Sequence, residues 1–208
     1  MTIGEKALAL AIQDADAGVR EIPDGSNTGP DVLAYQRATW LSGTRWPWCA
    51  AAANYWWREA GYTFPDRSAG AWDLVDRAVR NGWGVEVPVA RALPGDLVAF
   101  RFGSGHIALF ERHDAKKQVV HTVDGNVSNR VQRTVRSTST IYRVVHPLAQ
   151  PGPLPLPVKP PLYEVVTSAS GTRQVVFSGR RLQAAKYVSD NLASLLKKGV
   201  KVIVRPKP

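Results

Sequence analysis

Residues 46–61, WPWCAAAANYWWREAG, decide how the rest of the chain is read. Pro47 is expected to open a helix, because its fixed φ suits the first turn and its missing N–H costs nothing there. Cys49, Ala52, Ala53, Trp56 and Ala60 then fall along or near one face, and Gly61 stops the helix. The helix therefore carries a thiol in its first turn, among backbone N–H groups that have no partner within the helix. Those groups and the helix dipole favour a thiolate, and the same N–H groups can receive a developing oxyanion. A lone Cys is otherwise a small buried hydrophobe. Its place at a helix start makes Cys49 a candidate nucleophile.

Working upstream, Thr2 followed by Glu5 fits a capping box, with Leu8, Ala11, Ile12 and Ala15 on one helical face. A turn-rich stretch from Ile22 to Pro30 leads to a short helix near Asp31–Thr39. Downstream, a fourth helix is expected over Ser68–Asn81, ending at Gly82. Pro94-Gly95-Asp96 then turns the chain into an antiparallel meander. Its strands are expected at Leu97–Phe102, His106–His113, Gln118–Asp124 and, with a break, Val131–Val145. Helices first and strands later indicate an α+β domain.

A thiol nucleophile needs a base. Of the four histidines, His113 and His121 flank the lysine-bearing turn Asp114–Lys117 and read as solvated strand residues. His146 adjoins a proline-rich segment. His106 follows Gly103-Ser104-Gly105 at the start of a strand, where a loop delivers it to a sheet edge. If 113 faces 118 across that turn, His106 falls opposite about Gly125, so Asp124-Gly125-Asn126 lies beside it. Either Asp124 or Asn126 is then available to accept the imidazole N–H, although Asp-Gly and Gly-Asn are also ordinary turn dipeptides.

The segments Gly18–Gly29, Trp46-Pro47-Trp48-Cys49-Ala50, Pro94–Val98, Gly105–Leu109 and Asp124-Gly125-Asn126 together resemble a CHAP domain, over about residues 1–146. These domains belong to the papain-like NlpC/P60 group and are common in phage endolysins. The resemblance implies an α+β fold in which a helix-borne Cys packs on an antiparallel sheet, and cleavage of peptidoglycan amide bonds. It implies Cys49 as nucleophile, His106 as base and Asn126 as the residue orienting the His. Asp124 stands where many members carry Glu. The calcium-binding DxDG pattern of some members is absent upstream of Cys49, so no metal or cofactor is expected. For an oxyanion side-chain donor, Tyr35, Gln36 and the Trp46 indole are alternatives. Trp46, Trp48, Tyr55, Trp56 and Trp57 crowd around the Cys; most read as core, and Trp46 and Trp48 are the candidates for a groove that binds substrate.

Composition bounds the remainder. With 44% hydrophobic and 21% charged residues, the chain is globular. One Cys excludes an internal disulfide, and no run reaches the ~18 apolar residues of a membrane span. Seven prolines in residues 147–161 predict an extended linker. Residues 162–208 read as a small strand–strand–helix–strand module, with the helix at Leu182–Lys198. Most of the net charge of +10 lies at this end: residues 159–208 hold 10 Lys/Arg against 2 acids. Such a segment favours a polyanion, here an anionic wall polymer. Two other readings stand beside the hydrolase: a wall-binding or virion protein on a lapsed hydrolase fold, and nucleic-acid binding through the basic module, which carries no recognition motif. The expected setting is a host cytoplasm, entered without a signal peptide, with action on the wall after holin-type release or from a virion.

Overall fold

The computed structural model describes residues 1–148 and three further strands at 163–169, 172–179 and 201–206. The chain divides into two compact units, Met1–Pro153 and Leu154–Pro208.

The first unit begins with α1 (Ile3–Asp16), whose N-cap is the expected capping box: Thr2 Oγ1 accepts from the Glu5 N–H, and Glu5 accepts from the Thr2 N–H. α2 (Pro30–Gln36) and α3 (Cys49–Glu59) follow, then α4 (Ala71–Arg80). Pro47 does not open α3: Trp48 is the N-cap and Cys49 the first helical residue. Pro47 lies one residue before the cap, so the helix starts two residues later than expected.

Six strands form one antiparallel sheet: β1 (Gly84–Glu86), β2 (Leu97–Phe100), β3 (His106–Asp114), β4 (Val119–Val127), β5 (Arg130–Ser137) and β6 (Ile141–Pro147). The order is β1-β6-β2-β3-β4-β5. The meander runs from β2 to β5 only; a 3-10 turn at Thr138–Thr140 then sends β6 back to pair with β2. Burial accounts for the return. Val144 and Val145 in β6 are both buried, which needs cover on both faces, whereas β5 alternates exposed and covered positions as an edge strand does. β1, which propensity did not indicate, is three residues long and closes the far edge.

Period-two alternation splits the core in two. Leu97, Ala99, Ile107, Leu109 and Val123 pack with the helices, while Val98, Phe100, Ala108, Phe110 and Val120 pack on the opposite face. α3 lies against β3 and β4. Gly125 permits this closeness, since a Cβ there would sit 2.6 Å from Ala52 Cβ and 3.0 Å from the Trp48 ring. Two buried carboxylates fix the helices by taking aromatic N–H and O–H groups: Asp14 accepts from Tyr35 and Trp56, and Glu21 accepts from Trp48.

In the second unit, β7 (Tyr163–Ala169), β8 (Thr172–Gly179) and β9 (Lys201–Pro206) form an antiparallel sheet ordered β8-β7-β9. The helix expected at 182–198 and nearly all of the expected linker at 147–161 lie outside the described residues.

Candidate active site

Cys49 occupies the first turn of α3, capped by Trp48 without a side-chain hydrogen bond. Cys49 is 8% exposed and lines a cleft of about 290 Å³. Leu41, Trp46, Pro47, Ala69-Gly70-Ala71 and Ser104-Gly105 line it with Cys49. None of these lining residues is charged. Gly105 is required here: it has φ +97°, and a Cβ would meet the Trp72 indole at 2.9 Å. The turn therefore stays tight enough to deliver His106 to the first position of β3.

His106 is buried, and its Nε2 lies 2.8 Å from Asp124 Oδ1. Cys49 is the other side chain that favours the protonated ring. Burial alone lowers the imidazole pKa. Asp124, which accepts a hydrogen bond from the ring, and Cys49, together with the charges of both groups, outweigh it, so the pKa is raised from 6.5 to about 9. Phe102 and Phe100 stack on the ring, with centroids at 5.5 and 6.2 Å.

The register that brings these groups together differs from the expected one. His113 pairs with Val120, not with residue 118, because the turn takes in Ala115–Gln118, with Gln118 left-handed at φ 53°. A bulge between Phe110 and Arg112 takes back one residue, and Leu109 pairs with Val123. Carried back to the strand start, this places His106 diagonal to Asp124 on one face.

Asp124 is completely buried. Its Oδ1 accepts from His106 and from Arg136 Nη2 at 2.7 Å, and its Oδ2 from Thr122 Oγ1 at 2.6 Å and Thr134 Oγ1 at 2.9 Å. The geometry gives the imidazole to Asp124 and not to Asn126. Asn126 is left-handed at φ 62°, where β4 and β5 lose register, and its amide donates to Asn27 Oδ1 at 3.3 Å.

The other candidates separate cleanly. Trp48 has no exposed surface and its Nε1 donates to Glu21, which removes it from any substrate groove. Trp46 does line the cleft. Of the three oxyanion candidates, Tyr35 donates to Asp14, and the Gln36 amide donates to the Asn27 and Trp46 carbonyls. The Trp46 Nε1 is buried without a hydrogen-bond partner among the described residues. His146 does more than adjoin a linker: its Nδ1 bonds Asp96 Oδ1 at 2.7 Å, tying the Pro94-Gly95-Asp96 turn to β6. His113 is half-buried, with its Nε2 shielded from solvent. Arg136, Thr122 and Thr134 were not legible as site residues. In sequence they are polar residues in alternating strands, with nothing local to tell an inward-facing arginine from a solvated one.

A helix-start cysteine facing a sheet-borne histidine, itself held by a buried carboxylate, is the arrangement of papain-like thiol hydrolases. Residues 41–126 match the family model of the CHAP domain, a papain-like amidase and peptidase domain of NlpC/P60 type. The match runs from the cleft residue Leu41 to Asn126, spans Cys49, His106 and Asp124, and ends before Arg136. No curated protein and no solved structure gives a significant match. The family implies peptidoglycan as substrate.

Proposed function

We propose that the chain is a peptidoglycan hydrolase of endolysin type that cuts an amide bond of the wall peptide through Cys49. The observation that carries this reading is His106 held by the completely buried Asp124 and influenced by Cys49 at the start of α3. The Cys49 sulfur adds to the scissile carbonyl as thiolate, and its proton resides on His106. The oxyanion is received by the Cys49 backbone N–H, which has no partner within α3. His106 gives its proton to the leaving amine as the tetrahedral adduct collapses to a thioester. Water then attacks the thioester with His106 taking a proton, and the acid and free thiol are released. Asp124 holds the imidazole in one tautomer throughout.

The cleft walls support a bond flanked by small, uncharged residues, such as the alanine and glycine of wall peptides. Both an endopeptidase and an N-acetylmuramoyl-L-alanine amidase fit that chemistry. The excess of cations in residues 159–208 supports a second role, anchoring to anionic wall polymers. As an endolysin, the protein would reach the wall after holin-type release.

The test is digestion of purified peptidoglycan by wild type and Cys49→Ala, with fragments identified by mass spectrometry. New amine termini from the wild type alone are expected, and their masses name the bond. Intact walls across several chemotypes would leave only a binding role.

A further inference from the structure

We propose that Arg136 is a positioning residue for the Cys49–His106 pair, holding in place both the carboxylate and the aromatic wall that fix the imidazole. This rests on the reading of Cys49 and His106 as the reacting pair.

Arg136 enters from β5 and is 15% exposed. Its Nη2 donates to Asp124 Oδ1, the oxygen that His106 also uses, while its Nη1 donates to Thr134 Oγ1 at 2.7 Å. Thr134 in turn donates to Asp124 Oδ2. The guanidinium thus spans the carboxylate, gripping one oxygen directly and the other through a hydroxyl, a two-pronged contact that the fork of an arginine makes well. Asp124 has no exposed surface, so its charge depends on these donors, and Arg136 is the only one of them with a permanent positive charge. The same guanidinium lies 5.2 Å from the centroids of both Phe100 and Phe102, the rings that stack on His106. Both supports of the imidazole therefore converge on one side chain. It is held inward although its Nε is buried without a partner, a cost that a merely solubilising arginine has no reason to bear.

The charged and titratable groups facing the imidazole are Cys49 from α3, Asp124 from β4 and, across the shared oxygen, Arg136 from β5. The β2 side presents only aromatic rings. Removing the guanidinium relieves the imidazolium of a neighbouring cation and gives it the carboxylate oxygen undivided, so His106 should bind its proton more tightly. At the same time the carboxylate loses its rigid anchor, so turnover should fall while binding of the wall peptide persists.

The experiment uses the full chain with Arg136→Met and Arg136→Lys. His106 is titrated by NMR in a Cys49→Ala background, and hydrolysis is followed with Cys49 intact. Arg136→Met should raise the His106 midpoint by about half a unit or more. It should also lower kcat, by up to about 100-fold, with KM nearly unchanged, because a small misplacement of a reacting group costs about that much. Arg136→Lys restores the charge without the fork, so the midpoint should return towards wild type while kcat stays depressed. An unmoved midpoint in Arg136→Met, with activity lost only in proportion to folded protein, would overturn the proposal. If Arg136→Met does not fold, Arg136→Lys decides: wild-type kcat there overturns the clamp, and a depressed kcat at unchanged KM supports it. The titration needs no turnover, so it tests Arg136 even if peptidoglycan is not cleaved.

Discussion

At the scale of single residues, the site divides its labour between Asp124 and Asn126 in a way the geometry makes testable. Asp124 Oδ1 is 2.8 Å from the imidazole, while the Asn126 amide is committed to Asn27. Asp124→Asn should cost about 10²–10⁴ in kcat, because the amide cannot hold the same tautomer. Asn126→Ala should change kcat only a few-fold. Comparable losses in steady-state assays of both variants would reverse this assignment. A second expectation concerns pH. The folded-state pKa of His106 is about 9, above its ordinary 6.5. The stabilisation from the protonated imidazole is thus complete below about pH 6.5 and is lost as pH rises through about 9. Thermal unfolding should show the melting temperature falling over that interval, and less so in His106→Gln. The alkaline limb of kcat/KM should fall over the same upper range, as the acid that protonates the leaving amine disappears.

At the scale of elements, the site depends on how closely α3 approaches β4. Gly125→Ala would push a methyl to 2.6 Å from Ala52 Cβ, a contact that only movement of the helix relieves. It should destabilise the fold by about 1–3 kcal/mol and lower turnover beyond that loss, because Cys49 moves with α3. Circular dichroism melts beside kcat measurements distinguish the two effects. This is also the scale at which legibility in the sequence varied most. Thr2 and Glu5 announce their cap because both halves of the motif lie within one turn. Cys49 and His106 stand out because a helix start and a glycine-flanked strand start are local signals. The return of β6 to β2 has no such signal: its valines state that they are buried, not beside which strand. Arg136 was hidden for the same reason, since Arg130, Arg133 and Arg136 recur in an edge strand that reads as solvated.

At the scale of the whole molecule, the chain carries two compact units of different charge character. Loss of residues 159–208 removes 10 Lys/Arg and 2 acids, taking the net charge from +10 to +2. Retention on washed sacculi should then weaken and become less sensitive to salt. Cleavage of small soluble wall peptides should hardly change, because every residue of the candidate site precedes Pro147. Equal retention with and without the segment, at several salt concentrations, would remove wall anchoring from its role. No helix among the described residues is long and apolar enough to cross a membrane.

The chain has one sulfhydryl, and it sits at the centre of the cleft. Oxidation of Cys49 to a sulfenic acid finds no second thiol in this chain to condense with, so no internal disulfide can catch that state before it is driven further. Peroxide should therefore abolish the proposed hydrolysis stoichiometrically, and an external thiol supplied early should recover it. For a hydrolase working through Cys49, the lifetime of this single sulfur in an oxidising medium sets the working life of the molecule.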